Sequence, residues 1–226
     1  MSRFMPAIIV KKTVNSLGLS LSAETEAKLP DVMEKSLKRL YDFQQSDGGW
    51  GWWKQDTSSP EMTAYVVYGL MLAKENGVDV DPQVLDSGVK KLENFAAEEG
   101  TSSASSISPD ESAYVIFAHA YANKSIPDGI QVQILKGEYK NLSDRGLALY
   151  VRAQQESGIS APTGLDELIS RASCTQTMCK WNGYSYKYND VEATSHAALA
   201  LMKAGKKGEA QKAINWLVSR RTSNKA

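Results

Sequence analysis

Histidine and cysteine are scarce in this 226-residue chain, which contains two of each. The two cysteines, Cys174 and Cys179, are too few to identify a redox compartment. Neither histidine, His119 or His196, has a cysteine or a second histidine near it, so the sequence offers no pattern for a zinc site. We therefore expect no bound metal and no cofactor.

An excess of charge and a long apolar run are also missing. Lysine plus arginine equals aspartate plus glutamate at 26 each, which removes the electrostatic argument for a nucleic acid or an anionic membrane as partner. No apolar run approaches the roughly 20 residues of a membrane-spanning helix. The first residues carry only the short apolar run 7–10, so the sequence as given contains no recognisable export signal.

Helical patterns of two kinds alternate along the chain. One kind is apolar or small on nearly every side, which predicts a buried helix. The other is amphipathic, with apolar residues three or four positions apart, as at Leu85, Val89, Leu92 and Ala96. The apolar kind covers residues 62–73, 112–122, 143–158 and 192–205. The amphipathic kind follows at 82–99, after Pro127, at 164–173 and at 207–221, and earlier helices are expected near 3–15 and 31–45.

This alternation predicts an all-α fold with no convincing strand. Each helix pair hides its apolar face only against its neighbours, which is typical of helical repeat arrays. An open solenoid needs polar end caps, whereas a closed ring of inner helices wrapped by outer ones explains why the inner set is apolar all round. We therefore predict an α/α toroid that forms a single domain over residues 1–226.

Several stretches resemble families of known fold. The stretch LKRLYDFQQSDGGWGWW at 37–53 is typical of α/α toroids in general, including triterpene cyclases, prenyltransferases and complement-type thioester domains. More specific are SPEMTAYVVYGLMLAKENGVDVDPQVLDSGVKKL at 59–92, YNDVEATSHAALALM at 188–202 and AINWLVSRR at 213–221. They are similar to the thioester domain of the α2-macroglobulin and complement C3 family, and the resemblance covers essentially the whole chain.

The start of the chain fits the same family. There the reactive motif Gly-Cys-x-Glu-Gln-Thr is followed by a stretch such as Met-Ser-Arg-Phe-Leu-Pro, and this chain opens MSRFMP. The resemblance therefore makes the first four residues the ones that flank a thioester: Met1, Ser2, Arg3 and Phe4. It also implies that the reactive Cys and Gln lie just upstream of this sequence.

By this resemblance, the chain is a module of a bacterial-type α2-macroglobulin, an endopeptidase inhibitor that traps proteases through its thioester. The resemblance implies a monomeric fragment that is not an enzyme. Its implied partners are the other domains of the parent protein and, through the parent, target proteases. It also implies a parent that is periplasmic, secreted or surface-anchored, with no membrane contact by this domain.

One internal stretch imitates the reactive motif. SCTQTMC at 173–179 lacks the Glu, so Cys174 and Gln176 are one residue too close for the family's thioester ring. It also stands late in the chain, after an amphipathic helix. The alternative is a local disulfide between Cys174 and Cys179, and the location that the resemblance implies favours this bond over two free thiols.

Both histidines are expected in structural roles. In complement proteins of the family, a histidine in the loop before an inner helix makes the thioester selective for hydroxyl groups. The matching loop at 98–112 has none, so by resemblance the parent's thioester prefers amines. His119 lies inside an apolar helix and His196 stands where the family usually has Tyr, and both fit core or helix-edge positions.

Two other functions stay open. A terpene cyclase or prenyltransferase-like enzyme needs an Asp-rich acid motif or a zinc-binding Asp, Cys and His. The nearest acid match is Asp79-Val80-Asp81-Pro82, which a helix N-cap explains. The other function is a toroid without a thioester that serves as a binding or scaffold module.

The tryptophan-rich stretch raises a question of its own. Trp50, Trp52 and Trp53 follow an Asp-Gly-Gly turn, and a second aromatic loop before a later inner helix carries Trp181, Tyr184 and Tyr186. These aromatic residues can form a hydrophobic surface beside the thioester, or they can plug the end of the ring. Large aromatic side chains are mostly buried, so we favour plugs, with Trp50 inward and Trp52 or Trp53 half exposed.

Overall fold

The structure, a computed structural model, describes residues 4–17, 20, 22–97, 107–183 and 190–223. Ten α-helices and one two-stranded antiparallel hairpin lie within these ranges, so the fold is all-α apart from the hairpin. The helices are α1 Phe4–Leu17, α2 Ala23–Asp42, α3 Pro60–Glu75, α4 Pro82–Ala97, α5 Pro109–Asn123, α6 Ile130–Glu138, α7 Asp144–Glu156, α8 Leu165–Ser170, α9 Asp190–Lys203 and α10 Lys207–Ser223. The hairpin strands are β1 Ser173–Cys174 and β2 Cys179–Lys180. Among the helices so described, none is long and apolar enough to cross a bilayer.

Serine caps start three of the predicted buried helices. Ser59, Ser108 and Ser143 each accept a hydrogen bond from a backbone N–H in the first turn of α3, α5 and α7. Proline occupies the first position of α3 and α5, where its missing N–H costs nothing. Glu111 completes a capping box at Ser108. These local bonds explain why the helix starts could be predicted from sequence.

The chain divides into two compact units, residues 1–94 and 95–226, with the boundary inside α4. In unit 1, α1 packs against α2 and α3. Side chains with at most 2% of their surface exposed form its core: Ile8, Leu40, Trp50, Ala64, Val66, Val67, Leu70, Ala73 and Leu92. The amphipathic prediction for α4 is confirmed, because Leu85, Val89, Leu92 and Ala96 are all buried.

Unit 2 is built around α7, which packs against both α5 and α9. All residues from Arg145 to Gln155 in α7 are buried, and α5 is buried from Ser112 to Tyr121. Outside this row, α6 packs on α5, α8 on α7 and α10 on α9. Buried helices and outer helices thus alternate in unit 2 as the sequence predicts, while the closed ring stays a prediction.

Two elements differ from the sequence prediction. The second helix begins at Ala23 rather than near residue 31, because Ser22 caps it and Pro30 is accommodated inside it. The structure also contains the β1–β2 hairpin, where the sequence predicted no strand. Its strands have two residues each, which is too short for the alternation that marks a strand.

Candidate functional site

The loop between α2 and α3, residues 43–59, is here called the tryptophan loop. Its first tryptophan, Trp50, points inward, with 1% of its surface exposed. The indole Nε1–H donates to the carbonyl of Leu40 in α2 at 2.8 Å. Buried indoles ordinarily find such an acceptor. Trp50 is therefore part of the core of unit 1.

Thr63, in the first turn of α3, holds the backbone of Trp50. The N–H of Trp50 donates to Thr63 Oγ1 at 3.0 Å, and the same hydroxyl lies 3.4 Å from the Trp50 carbonyl, to which it donates. Thr63 is completely buried, so this hydroxyl satisfies backbone groups that water does not reach. We use the name Trp–Thr clamp for these three hydrogen bonds: the one from the indole to a helix carbonyl and the two between the tryptophan backbone and the threonine hydroxyl.

Unit 2 contains a second Trp–Thr clamp with the same bonds. Trp181 is 1% exposed, and its indole donates to the carbonyl of Leu168 in α8 at 2.7 Å. Its backbone N–H donates to Thr194 Oγ1 in α9 at 3.0 Å, and the hydroxyl returns a bond of 3.4 Å to the Trp181 carbonyl. In both clamps the tryptophan precedes the threonine by 13 residues.

The Asp-Gly-Gly turn leads the chain into the first clamp. Gly48 has a φ of 88°, and a Cβ there would lie 2.6 Å from a backbone carbonyl of α4, so the turn requires glycine. Asp47 closes the turn by accepting from the Gly49 N–H at 3.1 Å and the Ser58 hydroxyl at 2.6 Å. Partial burial acts to raise the pKa of Asp47, but these two bonds and the nearby Lys91 lower it overall.

Trp52 and Trp53 face outward, with 60% and 74% of their surfaces exposed. Their backbone N–H groups both donate to Asp56 Oδ2, at 2.9 and 3.4 Å. Gln45 Nε2 donates to the carbonyls of Trp53 and Lys54, at 3.2 Å each. The tryptophan loop therefore presents two exposed indoles on a backbone that its own side chains hold in place.

A pocket of about 200 Å³ opens beside Trp52. It is lined by Arg39, Leu40, Phe43, Trp50, Gly51, Trp52 and Met62. Pockets for drug-sized ligands measure roughly 300 Å³ or more. This pocket therefore suits one large side chain rather than a cofactor.

A disulfide joins Cys174 and Cys179 across the β1–β2 hairpin. With both sulfur atoms bonded to each other, Cys174 has no thiol that could form a thioester with Gln176. The amide of Asn215 in α10 donates to a carbonyl at the hairpin tip at 3.0 Å. The stretch that imitates the reactive motif is thus a structural hairpin that leads into Trp181.

His119 is a core histidine with both ring nitrogens bonded. It is 3% exposed, its Nδ1–H donates to the carbonyl of Ser125, and its Nε2 accepts from the amide of Asn123, each at 3.1 Å. These partners account for the ring as a structural group.

Polar side chains of α7 and α9 meet where these helices pack in unit 2, with Arg145 and Arg152 buried and Glu192 and His196 partly exposed. The Arg145 Nε–H donates to Glu192 Oε1 at 2.7 Å. Seven residues further along α7, the Arg152 guanidinium lies 4.1 Å from the centre of the Phe117 ring. Its Nη1 donates to His196 Nδ1 at 2.7 Å. We call Arg145, Arg152, Glu192 and His196 the buried arginine cluster.

Protonation of His196 is disfavoured in the folded chain. Burial, followed by the charges of Arg152 and Arg145, holds the pKa of His196 well below its ordinary value of 6.5. The bond from Arg152 also requires a lone pair on Nδ1, which protonation at that atom would remove. His196 therefore acts as a hydrogen-bond acceptor within the cluster.

The remaining predicted site residues lie apart. Phe4 is buried in α1, while Met1, Ser2, Arg3, Tyr184 and Tyr186 fall outside the described residues. Asp81 accepts from the Gln83 N–H at 2.8 Å at the start of α4, which is a capping role. Across the residues that can be described, no three metal-binding side chains come together.

Sequence reasoning missed the partners of the tryptophans. Thr63 and Thr194 were not identified, although the Trp-to-Thr spacing of 13 residues recurs and could have revealed them. Gln45 and Asp56, which hold the tryptophan loop, give no comparable signal. Their bonds depend on the folded shape of the loop rather than on a sequence period.

Comparison with known proteins finds one family. A family model described as the A-macroglobulin TED domain matches residues 1–124. An alpha-2-macroglobulin of Thermotoga maritima is 35% identical over 101 residues, which are 45% of this chain and 6% of that protein. Complement C3 of Naja naja is 23% identical over 243 aligned residues, covering 96% of this chain and 14% of that protein.

A solved structure shares the fold. Trypsin-activated alpha-2-macroglobulin from Escherichia coli matches with a TM-score of 0.68 and 16% identity, over 96% of this chain and 15% of that chain. The present chain thus spans only a small part of the length of each protein that it matches.

Removing the hydroxyl of either clamp should destabilise its unit. We expect Thr63→Val and Thr194→Val each to lower the free energy of unfolding by about 1–3 kcal/mol, because a buried backbone N–H loses its acceptor while side-chain volume is kept. Urea unfolding followed by tryptophan fluorescence measures the change. Thr57→Val, at an exposed position of the tryptophan loop, is the control, and losses no larger than the control's contradict the clamp.

Loss of the disulfide should have a modest effect. The bond joins cysteines five positions apart, and chain-entropy arguments give a loop this small about 2 kcal/mol. We expect Cys174→Ser/Cys179→Ser to lower the free energy of unfolding by at most about this amount. Dithiothreitol should destabilise the natural chain and leave the double variant unaffected. Thiols that titrate in denatured, unreduced protein would contradict the pairing.

Acidification should destabilise unit 2 through His196. Because the folded pKa of His196 lies below 6.5, the unfolded chain binds its proton first. Stability is therefore complete above about pH 6.5 and falls as the pH drops towards the folded pKa. The carboxyl pKa values of Asp47 and Asp190 are lowered from 3.8, so their contributions are lost only at more acidic pH.

The test compares the free energy of unfolding from about pH 8 to pH 5, the range in which histidine ordinarily titrates. We expect His196→Gln to flatten the pH dependence, whatever the change does to stability at pH 8. If the free energy of unfolding depends on pH equally in His196→Gln and in the natural chain, His196 is not the source of the acid destabilisation.

Proposed function

The chain belongs to the A-macroglobulin TED-domain family, and from this premise we propose that it is a module of a longer α2-macroglobulin-like endopeptidase inhibitor. The observation that carries the proposal is the family match over residues 1–124, more than half of the chain. The relatives extend far beyond the matched part, since the chain spans 6% and 14% of their lengths. In this proposal, residues 1–226 form one toroidal domain of that longer parent.

The reactive Cys and Gln of the parent lie outside residues 1–226 in this proposal. Two observations support that placement. The opening stretch MSRFMP resembles the residues that follow the reactive motif in the family. Both cysteines of the chain are also held in one disulfide, so neither offers a sulfur for a thioester. The domain by itself is then a scaffold without catalysis.

In the parent, cleavage of a bait segment by a protease exposes the thioester. An amine of the protease attacks the thioester carbonyl, an amide bond forms, the carbon–sulfur bond breaks, and the cysteine leaves as a thiolate that takes up a proton. The preference for amines rests on the loop at 98–112, which has no histidine. No electron transfer or metal is required for this exchange.

A location outside the cytoplasm belongs to the same proposal. The disulfide between Cys174 and Cys179 suits an oxidising compartment, and the family resemblance implies a periplasmic, secreted or surface-anchored parent. The target proteases are partners of the whole parent, while this domain contacts its sibling domains.

Methylamine incorporation into the full-length parent tests the reactive form of the proposal. We expect stoichiometric labelling of the residue that stands at the Gln of a Cys-x-x-Gln or Cys-x-Glu-Gln motif before Met1, with one thiol released for each methylamine bound. Replacement of that Cys by Ser is the control and should abolish both signals. A parent that lacks the motif, or that carries it and takes up no methylamine, points instead to a non-reactive scaffold.

A further inference from the structure

We propose that Trp52, Trp53 and the pocket beside them form a docking site for a segment of the parent polypeptide outside residues 1–226. The segment would present one large apolar side chain next to a carboxylate. This inference rests on the proposed function, because it takes its partner from the longer parent. We call Trp52, Trp53, Arg39, Phe43 and Met62 the docking surface.

The exposure of the Trp52 and Trp53 indoles is energetically unfavourable unless a partner covers them. Trp52 and Trp53 are the two most exposed large hydrophobic residues among those that the structure describes. Each indole buries up to about 250 Å² when covered, so leaving both in water forgoes the hydrophobic stabilisation of a large apolar area. Neighbouring exposed tryptophans on one loop form the kind of apolar patch that marks an interaction site.

The backbone beneath the indoles is prepared for binding. Asp56 accepts from the N–H groups of both tryptophans, and its Oδ1 accepts from the Thr57 N–H at 2.8 Å. Gln45 donates to the carbonyls of Trp53 and Lys54 in the same turn. If the loop folded over to bury Trp52 and Trp53, these hydrogen bonds would break. Since the loop is already ordered, a partner does not have to supply that ordering entropy.

The size of the pocket selects the apolar part of the partner. Its volume of about 200 Å³ leaves room for one large apolar side chain and is too small for a typical small-molecule ligand. Most of its lining residues are apolar: Leu40, Phe43, Trp50, Trp52 and Met62. Anchors of this kind, one large side chain in a desolvated pocket, carry most of the affinity at protein interfaces.

Arg39 selects the charged part of the partner. It lines the pocket, is itself exposed, and lies 5.3 Å from the centre of the Phe43 ring. None of the ion pairs found between described residues uses Arg39. Its guanidinium offers a planar fork that matches a carboxylate. An aspartate or glutamate beside the anchor side chain would complete the contact.

Site-specific photo-crosslinking in the full-length parent tests the proposal. Trp53→p-benzoylphenylalanine keeps an aromatic ring at the exposed position and reacts with whatever covers it on irradiation. We expect an intramolecular crosslink to one parent segment, identified by mass spectrometry, in which an apolar residue stands within about three positions of Asp or Glu. A crosslink only to a separate protein, to a segment without an acidic residue, or to none at all overturns the proposal.

Charge reversal at Arg39 distinguishes a specific contact with an acidic side chain from non-specific hydrophobic contact. Arg39→Glu should lower the crosslink yield at least about fivefold, which is the loss expected for an interface anchor worth roughly 1 kcal/mol. Arg39→Lys keeps the charge and should retain most of the yield. Both variants change an exposed side chain, and circular dichroism checks that they fold alike. Equal yields in Arg39→Glu and Arg39→Lys overturn the role of charge.

The result is separable from the test of the proposed function. A parent that incorporates methylamine yet gives no intramolecular crosslink overturns the docking surface alone. A parent that gives the crosslink without methylamine incorporation supports the docking surface and removes only the reactive form of the proposed function.

Discussion

The need to satisfy backbone groups around two buried tryptophans is the constraint on which both units depend. A loop that enters a helical core takes its N–H and C=O groups away from water, and an unpaired group there costs about 1–3 kcal/mol. Thr63 and Thr194 answer this need with a single hydroxyl that accepts one bond and donates another. The indoles of Trp50 and Trp181 reach back to the preceding outer helix. Each clamp therefore joins an outer helix, a loop and a buried helix.

Local signals explain what could be predicted from the sequence. Serine caps and prolines at first helix positions act within one turn, so α3 and α5 begin where the pattern indicates. The inward Trp50 follows from the cost of exposing indole, although both Trp52 and Trp53 proved to be exposed. One local signal was missed, because the Ser22 cap starts α2 at Ala23 and Pro30 lies within the helix.

The buried arginine cluster shows why side-chain roles are harder to predict than helices. The sequence predicts α7 as a buried helix of small and apolar residues, a pattern that assigns no role to Arg145 and Arg152. In the structure, Arg145 and Arg152 are 2% and 6% exposed. Glu192 meets one guanidinium, and the Phe117 ring and His196 meet the other. A charge is buried when such partners exist, and those partners come from other helices.

The hydrogen bonds of the tryptophan loop also bear on proteolysis. Exposed loop tips are where chains are ordinarily nicked, and Lys54 carries a side chain that trypsin-like enzymes accept. To fit a protease cleft, the backbone around Lys54 would have to extend. Extension would break the bond that Gln45 Nε2 donates to the Lys54 carbonyl and the bonds that Asp56 accepts from the Trp52 and Trp53 N–H groups. The loop thus combines surface exposure with side-chain bonds that oppose the extension which cleavage requires.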